Sequence, residues 1–183
     1  MEINITKHST LFLDRDGVIN EKAEEEDYVK NWGEFHFSER AKEALSILRK
    51  RFERIIIVTN QRGVGKGLMT ESDLLLIHKK MSEEIGEGLI DKIYYSTDLS
   101  DDSINRKPNV GMALKAKQDF PRINFKKSFM VGDSITDMYF GANLGMRRVW
   151  INSNVNSTID PSCYDFTFKS LYCFSKFITE SHK

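Results

Sequence analysis

The chain is predicted to fold as an α/β protein with a parallel sheet. Short apolar runs alternate along its 183 residues with segments whose apolar residues recur at helical spacing. The runs are long enough for buried strands and too short for helices of their own. Along this alternation, four segments carry polar residues suited to phosphate or metal: LFLDRDGVIN, RIIIVTNQ, NRKP and FMVGDSITD.

Leu11 to Leu13 forms the first strand and stops at Asp14 and Asp16, followed at once by Gly17. Alternate residues of an extended chain point the same way, so both carboxylates reach one small site. Crowded carboxylates repel unless a cation or a shared proton lies between them. The spacing therefore asks for a metal, a proton-transfer role, or both. Asp-Arg-Asp-Gly also suits a plain polar turn, and the three segments downstream weigh against that reading.

The acidic cluster from Glu24 to Asp27 is expected to be a solvated loop, with Trp32, Phe35 and Phe37 anchoring it to the body. Ser38 is expected to cap a helix whose Ala41, Ala44, Leu45 and Leu48 form one apolar face. The β-branched run Ile55 to Val58 then makes a second, central strand ending in Thr59, Asn60 and Gln61. GVGKG, from Gly63 to Gly67, is no P-loop: Asn60 stands where the first glycine belongs and Gly67 where Ser or Thr should follow the lysine. It is expected to be a glycine-rich turn in which Arg62, Lys66 and backbone N–H groups are available to an anion.

Thr70 with Asp73 suggests a capping box, opening a helix whose Leu74, Ile77, Met81 and Ile85 share a face. His78 in that helix is expected at the surface or its boundary, without chemistry. Ile93 to Tyr95 forms a third strand. Arg106 and Lys107 follow, before a Pro108 placed to open a helix, and Val110 to Phe120 is helical. The strand beginning at Phe129 ends in Gly132 and Asp133, with Asp137 a helical turn further on. Arg148 to Ile151 gives another strand, Tyr164 to Phe168 a short edge strand, and Leu171 to Ile178 a terminal helix.

The stretches from Asn20 to Phe37 and from Ser96 to Asn105 are loops in length, so no cap domain is expected. Residues 1–183 then form a single domain, with a site that is open or closed only by loops or a partner. Lys plus Arg equals Asp plus Glu at 27 each, so no global field draws the chain to nucleic acid or a membrane. The first ten residues lack the apolar stretch of a signal peptide, and the run IIIV cannot span a bilayer. A cytoplasmic location is expected, with Cys163 and Cys173 as reduced, partly buried thiols.

The order of the four segments resembles that of the haloacid dehalogenase superfamily, and the chain looks like its phosphatases. FLDRDGVIN, TNQ before GVGKG, RKP with GM, and MVGD resemble more narrowly the D-glycero-D-manno-heptose 1,7-bisphosphate phosphatases and the related histidinol-phosphate phosphatases. The likeness runs from about Leu11 to about Ile151. It implies a Rossmann-like, doubly wound sheet with the site at the carboxyl ends of the strands.

It also implies roles for particular residues. Asp14 attacks phosphorus to form an aspartyl phosphate, and Asp16 protonates the leaving alkoxide and then deprotonates the hydrolytic water. Mg²⁺ is held by Asp14, the Asp16 backbone carbonyl and Asp133, with Asp137 as a ligand or orienting the metal shell. Thr59 and Lys107 bind the transferring phosphoryl group. Asn60, Gln61 and Arg62 line the mouth, and Arg106 forks onto a second anionic group.

These relatives carry a Cys and His set for structural zinc just before the RKP motif. Here YYSTDLSDDSINRKP places Ser96, Asp98, Ser103 and Asn105 there, so no zinc is expected, and a shorter loop instead. The implied substrate is a small sugar bisphosphate, handled by a monomer or small homo-oligomer. Histidinol phosphate or a nucleic-acid 3′-phosphate is the alternative ester, and a catalytically silent sugar-phosphate binder the alternative of another class.

Overall fold

The computed structural model describes residues 3, 5–6, 8–23, 27–153 and 158–180. Among them, six strands form one parallel sheet: β1 (Thr10–Leu13), β2 (Arg54–Asn60), β3 (Lys92–Ser96), β4 (Phe129–Gly132), β5 (Arg147–Ile151) and β6 (Phe166–Phe168). Their spatial order is β3-β2-β1-β4-β5-β6, every neighbouring pair parallel. The chain moves outward from β1 in one direction through β3, then returns to the other side of β1 at β4. That reversal opens a crevice at the carboxyl ends of β1, β2 and β4, where ligands of doubly wound sheets bind. The expected α/β, Rossmann-like architecture is the one observed.

Strand residues alternate between the two faces. Leu11, Leu13, Ile55, Ile57, Phe129 and Val131 face one core, which α1 (Ala41–Arg49), α3 (Glu71–Ile85) and α6 (Leu171–Glu180) cover. Phe12, Ile56, Val58 and Met130 face the other, beneath α4 (Gly111–Asp119) and α5 (Ile135–Asn143). The helices change sides where strand order reverses, as right-handed crossovers require.

The helix of Ala41, Ala44, Leu45 and Leu48 forms with all four buried, but Ser38 does not cap it. Its N-cap is Arg40, in the left-handed region at φ 57°, and Ser38 contributes only a backbone carbonyl to Ala41 N. Thr70 and Asp73 do form a reciprocal capping box on α3. Pro108 opens no helix: the Lys107–Pro108 peptide is cis and α4 begins at Gly111. Arg62 to Gly65, expected as an open turn, is a four-residue helix, α2.

Between β1 and α1 the described residues hold only a 3₁₀ turn, Trp32–Glu34, and isolated bridges, with no inserted domain. Trp32 stacks on Phe35 at 4.9 Å, and Phe35 meets Phe37 edge-on at 5.1 Å, the expected anchor. Of the acidic cluster, Glu24 to Glu26 lie outside the described residues. Asp27 is described and pairs with Lys30 at 2.7 Å. Cys163 is half-buried as expected, whereas Cys173 is exposed on α6. No helix among the described residues is long and apolar enough to cross a membrane.

Candidate active site

Three strand ends build the floor of a cleft of about 300 Å³, at the small end of the ~300–1,000 Å³ usual for ligand sites. Asp14 follows β1 directly, its N–H bonded to Val131 O at 2.9 Å, so β4 fixes where its side chain begins. Asp14 Oδ1 accepts from Arg15 N at 2.8 Å and pairs with Lys107 Nζ at 2.9 Å. Oδ2 is left without a hydrogen bond among the described residues.

Lys107 is 2 % exposed, and its ammonium is triply engaged. It reaches Asp14, Asp137 Oδ1 at 2.6 Å and the Val58 carbonyl at 2.8 Å. Its backbone is clamped to Asn60, whose amide accepts from Lys107 N at 3.0 Å and donates to Lys107 O at 3.1 Å. A loop lysine thus gains the fixed placement of a strand residue. The two carboxylates outweigh the penalty of burial and raise its pKa, so it stays charged.

Asp133 and Asp137 approach from β4 and α5. Ser134 and Asp137 form a reciprocal capping box that fixes α5 and its first-turn carboxylate. Two glycines make the crowding possible. A Cβ on Gly132 would lie 2.2 Å from the Asp137 Cβ, and one on Gly17, at φ +83°, 1.9 Å from Asp133 Oδ2.

The ligand atoms of Asp14, Asp133 and Asp137 lie within 4.8 Å of one another. Burial, reinforced by its carboxylate neighbours and only partly offset by Lys107, pushes Asp14 up to about 7. Burial likewise lifts Asp133 to about 6 against the pull of Lys22. Asp133 Oδ1 is buried with no hydrogen-bond partner among the described residues. Such an excess of hard oxygen donors, one of them orphaned, fits a divalent cation such as Mg²⁺.

Asp16 is held differently. Its Oδ1 accepts from Arg15 NH2 at 2.8 Å and Asn20 Nδ2 at 2.9 Å, and its Oδ2 from Gln61 Nε2 at 2.8 Å. Burial alone would raise its carboxyl. The Arg15 charge and these donors outweigh it and hold Asp16 below the ordinary aspartate value.

Asp14, Asp16, Asn60, Gln61, Lys107 and Asp133 line the cleft. Thr59 does not: fully buried, its hydroxyl accepts from Gln61 Nε2 at 2.9 Å and meets the site only through that amide. Asp137 lies beneath Lys107, also fully buried. Arg62 and Arg106 stand outside the lining. Arg106 Nε pairs with Asp101 at 2.9 Å, leaving a buried NH1 without a partner among the described residues. In the loop before it, Asp98 accepts hydrogen bonds from Ser96 and Ser103, so these oxygens satisfy one another.

Lys22 was not anticipated, and nothing in its local sequence points to it. Its ammonium lies 2.6 Å from Asp133 Oδ2, and its side chain is 55 % exposed. A pair so exposed is worth at most about 1 kcal/mol. A cation at this cluster would have to take Asp133 from Lys22, so Lys22→Met is expected to tighten Mg²⁺ binding about five-fold in titration calorimetry. Unchanged or weaker binding would exclude that competition. Arg15 and Asn20 were likewise unassigned, although they lie within the first motif itself.

The sequence pattern of the family described as Polynucleotide kinase 3 phosphatase matches residues 9–172. The D-glycero-alpha-D-manno-heptose-1,7-bisphosphate 7-phosphatase of Mycobacterium bovis is 37 % identical over 90 % of this chain and 88 % of its own. The enzyme of the same name from Campylobacter jejuni is 37 % identical over 75 % of this chain and 78 % of its own. Among solved structures, the D,D-heptose 1,7-bisphosphate phosphatase from B. bronchiseptica, complexed with magnesium and phosphate, superposes with a TM-score of 0.82 at 22 % identity. That match covers 94 % of this chain and 98 % of the other, and shows a shared fold.

Proposed function

Because the chain belongs to the polynucleotide kinase 3 phosphatase family of haloacid dehalogenase-type phosphatases, we propose that it hydrolyses D-glycero-D-manno-heptose 1,7-bisphosphate at the 7-phosphate, with Mg²⁺ as cofactor. The observation that carries the chemistry is Asp14: a buried carboxylate at the cleft floor, one oxygen held by Lys107 and the other without a hydrogen bond among the described residues. The relatives' names support the sugar, and the small cleft suits it.

Asp14 Oδ2 attacks phosphorus in line, giving an aspartyl phosphate that divides one hard displacement into two easier ones. Lys107, immobilised by Asp137, Val58 and Asn60, presents its charge to the phosphoryl oxygens without reorganising. Asp14, Asp133, Asp137 and the Asp16 carbonyl would hold Mg²⁺, which supplies neutralising charge to nucleophile and phosphate. Asn60 and Gln61 hydrogen-bond substrate at the mouth.

Asp16 carries a proton to the leaving alkoxide and then takes one from the attacking water. Its three donors favour the carboxylate and hence the second task. In the first, they set the cost of holding the proton.

The test is phosphate release, with and without Mg²⁺, from both heptose 1,7-bisphosphate anomers, histidinol phosphate, fructose 1,6-bisphosphate and a 3′-phosphorylated oligonucleotide. Preference for a heptose bisphosphate is the expected result. Preference for the oligonucleotide would move the substrate to nucleic acid ends, and no release from any ester would leave a silent binder.

A further inference from the structure

Arg15 heads the chain's largest fully buried side chains, at 1 % exposure, and it sits between the two catalytic carboxylates in sequence. A buried guanidinium has five donors to satisfy. NH2 goes to Asp16 Oδ1 at 2.8 Å, NH1 lies 3.2 Å from His78 Nε2, and Nε has no partner among the described residues. His78 comes from the middle of α3, outside the cleft lining, and is 5 % exposed, where its sequence context suggested the surface or its boundary. Tyr95 packs against its ring at 5.7 Å between centroids.

An imidazole facing a guanidinium must accept at Nε2, which places its own proton on Nδ1. Burial, with the Arg15 charge beside it, drives His78 down to about 3, so the ring is the neutral acceptor this contact needs. The bond separation is long for a charge-assisted pair. Yet it is the one contact given to NH1 among the described residues, and NH2 on the same rigid plane holds Asp16.

We propose that His78 is a positioning residue for the phosphatase reaction: from α3 it orients the Arg15 guanidinium, which in turn aims the Asp16 carboxyl at the leaving-group oxygen. The inference rests on the phosphatase reading above and adds to it a residue that never touches substrate. Its loss frees the guanidinium plane to turn, which takes the Arg15 donor from Asp16 Oδ1 and leaves that carboxyl to Asn20 and Gln61 alone. The nucleophile meets Arg15 only through the backbone N–H, which does not turn with the guanidinium, so Asp14 and the acidic cluster keep their geometry.

A proton donor matters for an alkyl phosphate, whose alkoxide cannot leave unprotonated, and hardly at all for p-nitrophenyl phosphate, whose phenolate leaves unaided. The experiment compares kcat/KM, which reports on aspartyl-phosphate formation, for a heptose bisphosphate and for p-nitrophenyl phosphate at saturating Mg²⁺. In His78→Leu the value for the alkyl ester is expected to fall about ten-fold or more, as for other misplaced groups. For the aryl ester it should change by less than about two-fold. His78→Gln, whose amide oxygen can accept from Arg15, should restore most of the alkyl activity. His78→Met, equally without the ring acceptor but adaptable in packing, should repeat the leucine result and stands in for it if that variant does not fold.

Equal loss on both esters, no loss on either, or no recovery with glutamine would overturn the assignment of His78 alone. Absence of release from both esters by the wild-type chain would instead overturn the phosphatase reading, and this one with it.

Discussion

Asp14→Asn is expected to lower phosphate release by at least about 10⁴-fold, the scale on which loss of a nucleophile is felt, while the folded chain becomes no less stable in the absence of divalent cation. The two halves have one cause. Asp14 is crowded against Asp133 and Asp137 with Lys107 as its own counter-charge. An amide still accepts from Arg15 N and cannot attack phosphorus.

The pH dependence follows from the same crowding. Burial and the neighbouring carboxylates raise Asp14 from 3.8 to about 7. Between those values the folded state holds a proton that the unfolded state has released. The stabilisation this gives is complete below about pH 4 and is lost as pH rises to about 7, at up to about 1.4 kcal/mol per unit. The asparagine variant should therefore lack part of this decline in metal-free urea unfolding. Mg²⁺ favours the ionised carboxylates, so its shift in melting temperature should grow from pH 5 to pH 8. Turnover surviving in Asp14→Asn would place the nucleophile elsewhere, and a Mg²⁺ shift independent of pH would separate the metal from this cluster.

Lys107→Met should be the most destabilising of the site variants. The side chain is 2 % exposed and its ammonium answers Asp14, Asp137 and the Val58 carbonyl. Methionine keeps the length and offers no donor, so buried charge is left without its partner, a loss of about 3–5 kcal/mol. Activity should fall by about 10²–10³-fold with the fixed positive charge. Lys107 lowers the Asp14 pKa, so its removal lets that carboxyl protonate more readily. The deficit in urea unfolding should thus be smaller at pH 5 than at pH 8. A variant as stable as wild type at pH 8 would show that Lys107 is not the counter-charge of this cluster.

Much of this arrangement was legible in local sequence. Apolar runs marked the strands, and Asp14, Asp16, Asn60, Gln61 and Asp133 line the cleft because they sit at or just past strand ends. The helix faces and the Thr70 capping box also read directly, since they depend on residues three or four apart. Two helix starts differ from the local reading because backbone geometry within a few residues decided them. Ser38 was given a cap that the backbone at Arg40 replaces, and Pro108 a helix that starts at Gly111. Arg106, expected at a second anionic group, pairs with Asp101 through Nε and keeps a buried NH1 without a partner among the described residues.

Lys22, His78 and Asp137 show where local reading ends. Lys22 meets Asp133 across more than a hundred residues, and His78 meets Arg15 across 63. Asp137 meets Lys107 only because β4 lies beside β1 and β1 beside β2. The amino-acid sequence by itself determined the α/β class, the strands and the residue types of phosphoryl-transfer chemistry, since periodicity and strand-end composition act over a few residues. Tertiary structure alone decided which charges share one buried space, which arginine is held from behind and which lysine answers Asp133. Those contacts are set by strand order and helix placement, whose energy comes from burying two apolar faces at once and leaves no mark on the residues nearby.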